Sequence, residues 1–462
     1  MKPRQIILLL AGAAAVRLAY QAIVFFLDGS FTMPDSGVYM HIARSLLVNE
    51  EQMPVIERMP IYPYFLASLM WLGGGVHSLA ITAVQAIIDS LTVLGTALAA
   101  RAIDRRLTWP TAILGCLWPT FVVYAAIVLT DTLFVMFFAW GLCASLWAAR
   151  SERTLLCLVA AGILFGLALM TRPVLQFFPI FLLPALCYLV TRSTRSFWRT
   201  FLLACVPILI MGLFATPRLI TTYTLYGAPV FSTQSGAHLM NFVYPCLKDP
   251  IDCSNMQAIQ RQNRAIASKK LAELPPEEAG NPLAQDRILR EIGMEQITSL
   301  SFRQITFGLV VGASRGFLLT SFREIGQQLQ LNTPFFSTIP GGNFLERLKK
   351  LFQSITNGGF IAVWFGAQLT LLLSRLVQFR GFLQGLRNSE IRPMVVFLFV
   401  TAIYFLIVNG PIGYAKYRLP LEPALIIFLA MGIDGLWKIW NRRKGYAVEK
   451  TARDFNVASS ST

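Results

Sequence analysis

Residues 32–67 read TMPDSGVYMHIARSLLVNEEQMPVIERMPIYPYFLA, directly behind an apolar run that extends from 5 to 27. In this stretch Asp35 follows Pro34, and Glu57 and Arg58 stand just ahead of Pro60. Proline has no backbone N–H and pushes the residue before it out of the helical region, so the chain is expected to turn at these points. Between the turns, HIARSLLVNE and IYPYFLASLMWLGG read as helices lying along a membrane surface with apolar faces in lipid. Such an arrangement brings charged groups to the edge of the bilayer at fixed places.

The rest of the chain sets that edge in context. Of 462 residues, 55% are hydrophobic and only 14% charged, whereas an ordinary soluble globule carries about 25% charged residues. A crossing helix needs about 20 mostly apolar residues. Runs of that kind recur at 5–27, 78–103, 109–129, 130–149, 154–171, 173–191, 199–222, 355–377, 393–409 and 420–440. The expectation is an all-α polytopic membrane protein with about ten crossings. Residues 1–15 have features of a signal peptide, but Arg17 and the apolar continuation to Leu27 read as one retained helix.

A net charge of +16 could point to nucleic acid, but its distribution points to topology. If Lys2 and Arg4 are cytoplasmic, the segments on that side hold 20 Lys and Arg against 6 Asp and Glu, while the opposite side holds 19 against 17. This is the positive-inside pattern, with both termini cytoplasmic and no nucleic-acid partner. The same rule makes the run at 302–320 a lateral or re-entrant helix, because a full crossing there would put Arg375, Arg380, Arg387 and Arg392 outside.

Three regions follow: a transmembrane core at 1–222 with its first outer loop at 28–77, an outer segment at 223–354, and C-terminal spans with a cytoplasmic tail at 355–462. Within the outer segment, LAELPPEEAGNPLAQD reads as loop and 283–300 as a charged helix. Cys116, Cys143, Cys157, Cys187 and Cys205 fall in spans, whereas Cys246 and Cys253 in YPCLKDPIDC lie outside, where an oxidising compartment permits a disulfide. No tandem repeat and no matched pair of broken hydrophobic segments is found, as many transporters would show. A transporter or flippase of lipid-linked sugars is therefore the alternative reading, not the leading one.

Ionisable groups within a membrane are costly and call for partners. Arg17 and Asp89 reach nearly the same depth in the first two spans and are expected to pair. The other notable charges collect at the outer face: Asp35, Glu57, Arg58, Asp131, Arg172, Arg218, Lys416 and Arg418. Singly, Asp131 in VLTDTLFVMF reads as a helix N-cap, and Lys416 and Arg418 as headgroup anchors. Together, acids and bases at one interface suit an amphipathic anionic substrate. For a sugar joined through phosphate to a long isoprenoid, the leaving phosphate needs cations more than it needs an acid. One base for the acceptor then suffices, and the planar fork of arginine fits phosphate oxygens.

PDSGVYMHIARSLL, ERMPIYPYFLA, the TDTLF helix start, LMTRP, TPRLITTYTLYGAPVFSTQSGAHL and YAKYRLPLEP resemble, in order along most of the chain, the GT-C membrane glycosyltransferases. The similar groups are the polyprenyl- and dolichyl-phosphate-mannose mannosyltransferases and the aminoarabinose transferases. That resemblance implies a GT-C fold and inverting transfer of a sugar from a polyprenyl-phosphate donor to a lipid, glycan or protein acceptor on the outer side of the membrane, and the compact loops point most simply to a bacterial inner membrane. It implies that Asp35 is the catalytic base or orients the acceptor, that Asp131 is a second catalytic acid residue, and that Glu57 and Arg58 meet the donor. It implies phosphate contacts from Arg218, Lys416 and Arg418. A divalent metal held by Glu57 and His238 is the one cofactor it implies.

Overall fold

Inside a bilayer only helices satisfy the backbone within a single segment, and among the described residues every regular element is a helix. The computed structural model describes residues 1–48, 58–191, 196–250, 256–330, 346, 349–350 and 358–459, with side chains throughout except at 358–362 and 442–459. Helix α1 (Pro3–Phe26) is followed by two helices too short to cross, α2 (Pro34–Val48) and α3 (Ile61–Leu72). Next come α4 (Ser78–Ile103), α5 (Thr108–Leu117), α6 (Pro119–Ala125), α7 (Asp131–Ala148), α8 (Thr154–Thr171), α9 (Phe178–Val190) and α10 (Phe197–Tyr226). The polar segment holds α11 (Ser235–His238), α12 (Tyr244–Lys248), α13 (Met256–Ala272), α14 (Pro276–Ala279) and α15 (Pro282–Thr298). It leads into α16 (Phe302–Leu318) and α17 (Phe322–Gln328). The chain ends with α18 (Gly358–Arg387), α19 (Arg392–Val408), a 3-10 turn (Ala415–Leu421) and α20 (Glu422–Ser459).

Six described helical stretches are long and apolar enough to cross a membrane: α1, α4, α7, α8, α10 and Ala415–Asn441. Two bent pairs would raise this to eight, α5 with α6 at 49° and α16 with α17 at 67°. The ten expected crossings are thus not all single long helices, since α9 and α19 have 13 and 17 residues. The expected charged helix at 283–300 is α15, and its first turn begins inside the stretch read as loop, where the Asn281 side chain accepts from Leu283 N at 2.9 Å. Helix α18 runs well beyond residue 377, so Arg375 lies within a helix, donating to the Phe317 carbonyl at 3.1 Å, and not in a loop.

Pro119 explains the break between α5 and α6. It has no N–H for the Gly115 carbonyl four residues back, and Trp118 before it takes the extended conformation with ψ 113°. Arg17 of α1 meets the carbonyls left behind, donating to Cys116 O at 2.8 Å and Gly115 O at 3.1 Å while its Nε reaches Asp89 at 2.6 Å. Below the break, residues 126–130 have no helical ladder, and side-chain amides take its place. Gln21 donates to Ala125 O at 3.2 Å, Gln328 to Ala126 O at 3.0 Å and Gln85 to Ile127 O at 2.7 Å. An aromatic core of Phe134, Phe138, Phe165, Phe178, Tyr404 and Phe405 joins α7, α8, α9 and α19 beside this segment.

Removing one partner of a buried ion pair leaves the other uncompensated and costs about 3–5 kcal/mol. Arg17→Met is therefore expected to lower stability by that order in reversible unfolding from detergent micelles. Arg17→Met with Asp89→Leu should regain only part of it, because the Cys116 carbonyl still lacks its Arg17 donor; full recovery would show that the pair alone matters.

Candidate functional site

Asp35 lies in the first turn of α2, where the helix dipole favours a carboxylate. The turn is closed reciprocally, Met33 N donating to Ser36 Oγ at 2.9 Å and Ser36 N to Met33 O at 2.8 Å. This places Asp35 inside the helix and ahead of HIARSLLV, with half of its side chain exposed (52%). Two cations from distant parts of the chain reach it, Arg58 Nη2 at 3.6 Å and Lys416 Nζ at 3.3 Å. Lys416 is carried by the 3-10 turn ahead of α20.

Arg58 is oriented from several sides. Its Nη1 donates to Gln234 Oε1, and its guanidinium lies over the Tyr39 ring at 5.3 Å, a cation–π distance. Its Nε is buried without a partner. Tyr39 in turn meets the fully buried Tyr62 ring edge-on at 5.2 Å. Burial holds the Tyr39 hydroxyl above its ordinary pKa, more than the nearby Arg58, Arg172 and Lys416 lower it, so it stays a hydrogen-bond donor among charges.

Asp131 begins α7 as expected, but it is fully buried, and its Oδ1 accepts from Arg172 Nη1 while its Oδ2 has no partner. Arg172 follows α8 and lies over the Phe134 ring at 5.6 Å. Asp131 thus directs an arginine towards the cluster from below and does not itself face solvent.

The remaining basic residues are tied differently. Arg218, near the end of α10, donates Nε and Nη2 to the Phe231 carbonyl at 3.2 and 3.1 Å and Nη2 to the Arg58 carbonyl at 3.4 Å. It holds the backbone that carries Arg58. Arg418 is 3% exposed and bonded to Glu422 at 2.5 Å, the Leu319 carbonyl at 2.5 Å, the Gly316 carbonyl at 3.1 Å and Thr120 Oγ1 at 3.2 Å. Such a guanidinium has its donors committed to the fold. Of the bases that the sequence reading gives to the donor phosphate, Arg58 and Lys416 lie at Asp35, whereas Arg218 and Arg418 are tied to backbone carbonyls and Glu422.

Glu57 and Cys253 lie outside the described residues. His238, at the end of α11, is exposed, its ring 5.6 Å from that of Phe242. Cys246 is buried in α12. Among the described residues no group of three His, Cys, Asp or Glu could hold a metal ion. His238 is the described member of the expected Glu57–His238 pair, and no step below is routed through a metal cation. Tyr39 and Gln234 escaped sequence reasoning as site residues, since each is defined by what it touches on another segment.

Residues 57–220, about a third of the chain, match the family model of dolichyl-phosphate-mannose-protein mannosyltransferases. The crystal structure of the Archaeoglobus fulgidus oligosaccharyltransferase in its apo form is similar with TM-score 0.54 and 14% identity, over 97% of this chain and 52% of that one. The chain has the GT-C fold. The oligosaccharyltransferase AglB from Archaeoglobus fulgidus, with an inhibitory peptide and a dolichol-phosphate, matches with TM-score 0.51 and 14% identity, over 94% and 51%. ArnT from Cupriavidus metallidurans bound to undecaprenyl phosphate matches with TM-score 0.37 and 15% identity, over 90% and 77%. The chain spans about half the length of the archaeal structures it matches. No curated protein matches its sequence.

The two kinds of base are separable by stability. Arg418→Ala leaves buried Glu422 uncompensated and should cost about 3–5 kcal/mol, whereas Lys416→Ala breaks a partly exposed pair and should cost under about 1 kcal/mol. Unfolding titrations of both variants check this; equal losses would contradict the division.

Proposed function

We propose that the protein transfers a sugar from a polyprenyl-phosphate carrier to a lipid, glycan or protein acceptor, with inversion at the anomeric carbon. The observation that carries this reading is a half-exposed carboxylate, Asp35, held between Arg58 and Lys416 at the head of a helix. The family match over residues 57–220 and the likeness to an archaeal oligosaccharyltransferase that binds a dolichol-phosphate support it.

In this reaction Asp35 takes the proton of the acceptor hydroxyl as that oxygen forms its bond to the anomeric carbon. The bond from that carbon to the phosphate oxygen breaks on the opposite face, and its electron pair leaves with the phosphate. Arg58, Lys416 and Arg172 stabilise the charge that develops there, an electrostatic contribution that costs little reorganisation because the groups are already placed. Asp131 and Gln234 orient two of those guanidiniums. The Tyr39 hydroxyl is a further donor on the same side. Transfer of a hexosyl or a pentosyl group is compatible with this mechanism. The excess of cations on the segments that we place in the cytoplasm supports a site on the extracytoplasmic face of a bacterial cell membrane.

A positioned general base contributes about 10²–10⁴-fold. Asp35→Asn, at wild-type abundance, is expected to release polyprenyl phosphate from a panel of polyprenyl-phosphate sugars at least about a hundredfold more slowly in membranes of the expressing cell. Release at the wild-type rate sinks the reading.

A further inference from the structure

Helices α18 and α20 touch backbone to backbone. A Cβ on Gly432 would fall 2.1 Å from the Val377 carbonyl oxygen, and one on Gly381 would fall 2.0 Å from that of Phe428. A groove of about 490 Å³ opens beside this contact. Its upper wall is apolar and exposed, with Leu376 and Phe379 prominent, and Ile439 lines it further down. Its polar members are Gln384 and the cations Arg380, Arg387 and Lys438. Arg380 Nε is buried without a partner, Arg387 stands exposed in the last turn of α18, and among the described residues only Lys438 of the three has an acidic partner, Asp434 at 2.5 Å.

The groove is remote from the Asp35 cluster. Lys438 follows Glu422, which adjoins the turn bearing Lys416, by sixteen residues of continuous helix, or about 24 Å at 1.5 Å per residue. That approaches the roughly 30 Å thickness of a bilayer's hydrocarbon core, so the two places lie at opposite ends of the span. Leu376 precedes Arg387 by eleven residues of α18, so its exposed side chain lies towards the middle of the membrane and Arg387 at the edge, with Arg380 between them, one turn from Leu376.

We propose that this groove is a binding site for an anionic phospholipid of the leaflet opposite the Asp35 cluster. Arg380 and Arg387 meet the headgroup phosphate, and the acyl chains follow Leu376 and Phe379 towards the bilayer centre. Free phosphate would leave the apolar wall unused. A second copy seated here across a two-fold axis would bring the same cations against each other. Nothing in this inference depends on the reaction proposed above.

The test is native mass spectrometry of the delipidated full-length protein titrated with phosphatidylglycerol, phosphatidylcholine or inorganic phosphate. A cation near an anionic lipid surface contributes a factor of about five to binding. Arg387→Gln is expected to weaken phosphatidylglycerol about fivefold and Arg380→Gln with Arg387→Gln about 25-fold, with Arg387→Lys close to wild type. Phosphatidylcholine should bind the wild type no better than phosphatidylglycerol binds the double variant. Equal binding of the two lipids, unchanged binding by the variants, competition by inorganic phosphate at matched concentration, or a dimer that displaces lipid overturns the proposal. Should the double variant lose its thermal unfolding transition, the Arg387 pair decides alone, because that side chain is exposed.

Discussion

A backbone broken inside a membrane must have its carbonyls paired by something other than the helical ladder, and this fold depends on how that is done. Pro119 creates the break, and Arg17, anchored on Asp89, occupies the carbonyls at its upper side. Gln21, Gln85 and Gln328 occupy those beyond it. The glutamines are themselves tied down: Gln85 accepts from Tyr62 and Gln328 from Tyr20, each at 2.8 Å. The network spans α1, α4, α3 and α17, which are far apart in sequence.

Function follows from where the broken segment leads. Val128 N donates to the Phe31 carbonyl at 2.9 Å, which fixes the chain just ahead of Asp35. Three residues beyond Val128, Asp131 opens α7 and pairs with Arg172. One irregular segment thus sets the positions of the acid that opens α2 and of an arginine that faces the same cluster. From the other side, Asp286 of α15 accepts from Gly236 N and Ser235 Oγ, both at 2.7 Å, next to the Gln234 that holds Arg58. The polar segment and the apolar bundle therefore meet at the same guanidinium.

Much of this was legible in sequence, for identifiable reasons. Depth along two helices is enough to pair Arg17 with Asp89, and runs of apolar residues are enough to call for helices. The Pro34 and Pro60 turns mark where Asp35 and Arg58 belong. What the sequence does not reveal is how many hydrogen-bond acceptors surround a given arginine. Arg58, Arg218 and Arg418 read alike as bases at one face, yet Arg418 is enclosed by carbonyls and Glu422, and Arg218 braces the backbone of Arg58. The same limit hides Tyr39 and Gln234, whose significance lies in contacts with another segment. The break at Pro119 has a local signal, but of the glutamines that sustain it Gln328 is separated by 202 residues from the Ala126 carbonyl it meets.

The central claim is that Arg58, with Lys416 and Arg172, holds a lipid-linked phosphate beside Asp35. Thermal stabilisation by undecaprenyl or dolichyl phosphate tests it most directly, since a ligand at about a hundred times its Kd adds about 2.7 kcal/mol to the folded state. The account expects wild type to be stabilised and Arg58→Ala, folded to the same extent, to lose most of that response. A folded wild type that does not respond, or an Arg58→Ala variant that responds equally, would contradict it.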